Sequence, residues 1–158
     1  MTLSASLLQA LALLLISLVV GSMFGIWRGY VAADYSPATF IEVHQSAVRG
    51  LNVLLPAIAL LSLILTAILA FLARGSHPAF ALYLGAIVAV IAGGLVTRFG
   101  NQPINAEVML WTADTLPANW EELRDRWWTW HIVRFVVTAL AEMLLIGAVF
   151  AHRDSFTS

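Results

Sequence analysis

Three stretches of this chain, 5–27, 50–72 and 78–97, contain no charged residue at all, and a fourth, 132–151, contains only Arg134 and Glu142. A helix needs ~20 such residues to cross the ~30 Å hydrocarbon core of a bilayer. The composition agrees, with 61% hydrophobic and 11% charged residues against about 25% charged in a soluble domain. The expected fold is all-α: an integral membrane four-helix bundle, one four-span domain over residues 1–158, in the cell membrane.

Several function classes drop out at once. The net charge of −1 gives nucleic acid nothing to bind. There is no cysteine, so thiol–disulfide exchange, Fe–S clusters and thiolate metal sites are excluded. The first run could pass for a secretory signal, because Val31-Ala32-Ala33 resembles a cleavage site. It lacks a basic leader and exceeds the usual ~7–15 apolar residues, so it is read as a span. Within it Ser17, Gly21 and Gly25 recur every four residues, a small-residue ridge expected to pack inside the bundle.

Two helices should overshoot the bilayer. Ser36-Pro37 reads as an N-cap followed by a first helical residue. The pattern then runs to Ala73, ~55 Å of helix by rise per residue. Residues 37–49 therefore form a polar extension, and Pro56 should kink the helix. Asn119 with Glu122 has the pattern of a capping box, starting a helix whose extension is 120–131. A polar loop over 99–117 separates spans three and four. Gly85, Gly93 and Gly94 permit close packing in span three, and Gly75 ends span two.

This topology gathers the polar residues at one face of the membrane. Residues 101–134 hold five of the nine acidic residues and five of the six tryptophans. Glu42, Gln45, Arg49 and Asn52 line one side of a helix by their 3, 4 and 3 spacing, with His44 turned away. His131, Arg134, Thr138 and Glu142 form a second stripe, and Arg98, Asn101 and Asn105 stand at the exit of span three. Together they read as a polar pocket at the mouth of a bundle. For the tryptophans, interfacial anchoring is the competing reading. For Arg98 and Arg134, charge at the membrane edge turns inward toward a ligand or partner. Glu142 lies ~15 Å into span four by helical rise. A proton-carrying, hydrogen-bonded carboxyl is expected there, as a relay or as a link between helices. His44 and His131 share the polar side and could ligate copper or haem iron. His77, in a turn, and His152, at a fraying end, read as interfacial.

The order N-x-P-x-N at 101–105, then L-R-x-R-W-x-x-W-H-x-x-R at 123–134, resembles the anthrone oxygenase-like family of small four-span membrane proteins. Asn101, Pro103, Asn105, Leu123, Arg126, Trp127, Trp130, His131 and Arg134 carry the resemblance, with Gln45 and Arg49 at the start of the second span. It covers roughly 40–150, and at position 131 the family is associated with Asn or His. The resemblance implies a helical bundle and, in some members, oxidation of an anthrone to an anthraquinone by molecular oxygen. An oxygenation mechanism suits the residues gathered here, with a base such as His131, oxyanion stabilisation by Arg49, Arg98 or Arg134, and substrate contacts from Gln45, Asn52, Asn101, Asn105, Trp127 and Trp130. The expected partners are the bilayer and a small lipophilic aromatic or quinone-like substrate, with self-association open. A non-catalytic membrane subunit or hydrophobic-ligand binder, and a His-ligated haem or copper carrier, are the alternatives.

Overall fold

A computed structural model describes residues 3–154. They are almost entirely helical: α1 (Leu3–Gly29), a short 3-10 turn (Ala32–Asp34), α2 (Pro37–Leu51), α3 (Leu54–Leu72), α4 (His77–Val96), a π turn (Thr97–Asn101), α5 (Gln102–Val108) and α6 (Trp120–Asp154). Four helical segments are long and apolar enough to cross a membrane. The protein is a multi-pass membrane bundle.

The spans meet along seams of spacing 3 and 4. In α1 the buried residues are Ala5, Gln9, Ala12, Ile16, Val19 and Met23. In α6 they include Leu123, Trp127, His131, Thr138, Ala141, Leu145, Ala148 and His152. That is the pattern of left-handed helix packing. Leucines on the opposite face of α1, such as Leu7, Leu14 and Leu18, are exposed and suit acyl chains. Lipid is as apolar as leucine, so dispersion between closely approached helices holds the spans rather than water exclusion. Gly93 shows how close: a Cβ there would lie 2.8 Å from Thr138 Oγ1 on α6.

Three expectations about packing are corrected. Of the Ser17–Gly21–Gly25 ridge only Ser17 reaches another helix, by its bond to Glu142, since added Cβ atoms at Gly21 and Gly25 would meet nothing within 4 Å. The larger stripe Ile16–Val19–Met23 takes the interior instead. Residues 99–117 are not all loop, because α4 continues through the π turn into α5 as far as Val108. His152 does not fray. It is buried beside Gln9 and Tyr83, tying α1, α4 and α6 together at the end where the 73–76 turn also lies.

Pro56 acts four residues upstream. Its nitrogen cannot donate to the Asn52 carbonyl, and the helix breaks between α2 and α3 at Asn52–Val53. The Ser36 cap is as expected, accepting from Thr39 N at 3.2 Å. Beyond the spans α2, α5 and the start of α6 form a second, aromatic core of Tyr30, Phe40, Ile41, Ile104, Val108, Trp111, Leu123 and Trp127. Here burial from water stabilises in the ordinary way, at about 25 cal/mol per Å². Trp111 and Trp127 therefore serve as core rather than as an interfacial belt. Trp130 stays partly exposed, with its ring edge against Gly100.

Candidate functional site

Asn105 of α5 is the hub of a buried polar network. Trp127 Nε1, which can only donate, bonds to Asn105 Oδ1 at 2.7 Å. The amide orientation follows, with Nδ2 donating to Asn52 Oδ1 at 3.0 Å. His44 Nε2 lies 3.2 Å from the same Oδ1 and must carry hydrogen to bond it. In the neutral ring Nδ1 is then the acceptor, and the Tyr30 hydroxyl donates to it at 3.1 Å.

His44 stands on α2, ahead of the apolar span, and burial keeps its ring neutral. Its pKa is lowered to about 4, chiefly by burial and also by the charge of Arg134, against an upward pull from the Asn105 bond. Burial, with Tyr35 as a smaller cause, raises the Tyr30 hydroxyl, so this phenol keeps its proton.

The same reasoning fixes His131. Its Nε2 faces the Met23 carbonyl oxygen at 3.1 Å and must donate. Its Nδ1 then accepts from Arg134 Nη2 at 2.9 Å. Trp127 stacks on the ring at 5.3 Å and Trp128 at 5.7 Å, and the side chain is wholly buried. Both nitrogens are committed, and one of them aims Arg134.

Arg134 is left uncompensated. Its Nε is buried with no hydrogen-bond partner. Among the described residues the one ion pair is Arg124–Asp125, so no carboxylate neutralises Arg134. Its guanidinium carbon stands 6.0 Å from the centre of the Trp127 ring, a distance that gives only a weak cation–π contribution. A buried lone cation is costly unless a counter-charge arrives.

It lines a cavity of about 360 Å³, within the range of small-molecule sites of about 300–1,000 Å³. Tyr30, His44, Asn52, Arg98, Gln102, Asn105, Trp127 and Thr138 line the same space at its polar end. Val19, Leu55, Leu63, Val90 and Ile91 make the rest apolar.

Of the polar and aromatic residues singled out in the sequence, His44, Asn52, Arg98, Asn105, Trp127, Arg134 and Thr138 therefore meet around one cavity. The others stand elsewhere. Arg49 is exposed and does not line the cavity. Gln45 donates to the Val108 and Trp111 carbonyls at 2.9 and 3.0 Å, closing the end of α5. Asn101 donates to the Trp127 carbonyl at 3.0 Å and so holds the π turn to α6. Glu142 accepts from Ser17 Oγ, a link between α1 and α6 away from the cavity. Tyr30 and Gln102 line the cavity but were not anticipated. Tyr30 sits in the short link after α1, where no periodicity marks it.

His44 and His131 do not form a ready ligand pair. Their four ring nitrogens are engaged within the protein, the Trp127 ring contacts both imidazoles, and no group of three His, Asp or Glu suited to a metal occurs among the described residues. A copper or haem iron would have to displace Asn105, Tyr30, Met23 or Arg134 from these rings.

Fold and site together define a multi-pass helical membrane protein with an amphipathic cavity at one end of the bundle. The family model for anthrone oxygenase matches residues 44–144, from His44 to beyond Arg134, and so takes in the Asn105 network except Tyr30. The chain belongs to this family. No curated protein and no solved structure matches it.

Proposed function

We propose that the protein is an oxygenase of the cell membrane. Its substrate is a lipophilic aromatic with an acidic methylene conjugated through the ring system to a carbonyl, as in an anthrone. The observation that carries this reading is Arg134, without an ion-pair partner, at the polar end of a cavity whose remainder is apolar. Such a cavity suits a neutral ligand that becomes an anion once bound. The ring system packs against the apolar lining, and its oxygen faces Arg134, with Arg98 at the cavity edge.

The tautomers suggest a proton route. The substrate methylene gives a proton to the Tyr30 oxygen as Tyr30 passes its own to His44 Nδ1. The imidazolium so formed keeps its Nε2 bond to Asn105. The carbanion, drawn as its enolate, places negative charge on the oxygen beside Arg134, and charge stabilisation of this kind is commonly the largest catalytic contribution. Molecular oxygen adds at the carbon, taking an electron pair and forming a C–O bond. The resulting peroxide regains the proton from His44 through Tyr30, then loses water to leave a ketone. One anthrone and one oxygen molecule give one anthraquinone and one water. His131 is not the base in this scheme and acts by positioning Arg134.

The test is oxygen consumption by the protein in liposomes supplied with anthrone, with the quinone followed by absorbance. Equal amounts of oxygen consumed and quinone formed, lost in Tyr30→Phe and His44→Ala, support the reading. Tight binding of anthrone without oxygen uptake would make the protein a carrier instead.

A further inference from the structure

The cavity wall is incomplete between α3 and α4. Leu60 of α3 and Ile91 of α4 line the cavity, yet they are 57% and 47% exposed. Gly94, one turn beyond Ile91, also lines it, and a Cβ built there meets no atom within 4 Å. α3 and α4 are joined by the 73–76 turn at the far end, so nothing in the chain draws them together here. Ile91 precedes Arg98 by seven residues and Leu60 follows Asn52 by eight, ~10–12 Å of helix in each case. The gap therefore lies within the hydrocarbon and faces acyl chains rather than water.

We infer that this gap is a lateral portal through which a lipophilic, oxygen-bearing aromatic enters directly from the bilayer. The inference rests on the ligand class proposed above. Charge and polarity along the path argue for that occupant. The mouth, formed by Leu60, Ile91 and Gly94, offers nothing to a polar solute. Arg134, without a counter-charge, and the Asn52–Asn105 amides wait at the inner end. An amphiphile enters ring first or oxygen first through apolar surface and is held once its oxygen reaches the cation. A water-borne ligand would leave the portal unused, and a simple acyl chain would leave Arg134 unpaired. The small residue at position 94 keeps the opening free, since any larger side chain projects into empty space at the mouth.

The experiment measures uptake, not turnover. Anthrone in liposomes is mixed with proteoliposomes, and quenching of tryptophan fluorescence reports arrival in the cavity. Every variant is compared at one anthrone-to-lipid ratio, so that the concentration in the membrane is the same throughout. Gly94→Phe should slow uptake by about tenfold or more, as restricted access lowers association rates, while Gly21→Phe, on an open face away from the cavity, stays close to wild type. Should Gly94→Phe fail to assemble, the absence of cysteine allows a reversible plug. Gly94→Cys treated after folding with benzyl methanethiosulfonate should lose uptake and recover it with reductant. Uptake that ignores both plugs would overturn the portal. Uptake that obeys them in a protein that never consumes oxygen would keep the portal and refute the oxygenase reading.

Discussion

Replacing His131 separates two roles that its position allows. If His131 positions Arg134, the part that matters is the acceptor at Nδ1, 2.9 Å from Arg134 Nη2. His131→Asn keeps an acceptor at nearly that point, because an asparagine oxygen occupies the place of Nδ1 along the side chain. It loses the bond to the Met23 carbonyl, a neutral contact of about 0.5–1.5 kcal/mol. That loss bears on stability more than on turnover, because Met23 lies within α1 and its carbonyl is placed to serve the helix ladder too. His131→Ala removes the acceptor and leaves a void beside Trp127 and Trp128. Loss of a hydrogen bond to a charged group costs about 1.5–3 kcal/mol, which corresponds to roughly tenfold to hundredfold in kcat/KM if the guanidinium is thereby misplaced. Steady-state oxygen uptake with anthrone should place Asn near wild type and Ala well below it. A general base cannot be replaced by an amide, so an Asn variant as inactive as Ala would return the base to His131.

Three further outcomes follow from the geometry. Neutral His44 is the working form, and its pKa is held down to about 4, so kcat/KM should stay level from pH 7 to about 5 and fall only near pH 4; an acid limb near 6.5, the ordinary histidine value, would contradict the buried dyad. The same shift acts on stability: the unfolded ring binds a proton below about 6.5 and the folded ring does not, so the His44 contribution declines at about 1.4 kcal/mol per pH unit toward pH 4, alongside a similar one from His131, whose pKa burial also lowers to about 4, and His44→Gln should remove about half of the decline in a denaturation series. Gly100→Ala would place a Cβ 2.6 Å from the Trp130 ring and should cost about 1–3 kcal/mol as overpacking, seen as a lower melting temperature in detergent that Trp130→Ala partly restores.

The spans were legible because the bilayer demands length and apolarity, which composition reports directly. The Pro37 start and the Pro56 break followed from the missing amide hydrogen of proline, a local fact. The cavity was only half legible. Periodicity placed Gln45 and Asn52 on one stripe and set His44 aside, yet His44 reaches the cavity because Asn105 and Tyr30 come to meet it from other helices. The π turn adds a residue between α4 and α5 that no 3.6-residue count anticipates, and it carries Asn101 to the Trp127 carbonyl. Tyr30 was hidden for a related reason: its role is fixed by a ring nitrogen fourteen residues away in sequence. The resemblance located the right stretch but could not tell that His131 has both nitrogens engaged. Only the donor and acceptor chemistry of Met23 and Arg134 decides that.

The proposed mechanism requires Arg134 to stabilise an anion formed in the cavity. A direct probe is 2-hydroxyanthraquinone, whose colour reports ionisation, titrated while bound to the protein in detergent. Wild type should lower the apparent pKa of the bound phenol by about one unit or more, each unit being about 1.4 kcal/mol of preference for the anion. Arg134→Met should abolish the shift while still binding the neutral dye. A bound phenol that titrates alike in both proteins would contradict the account.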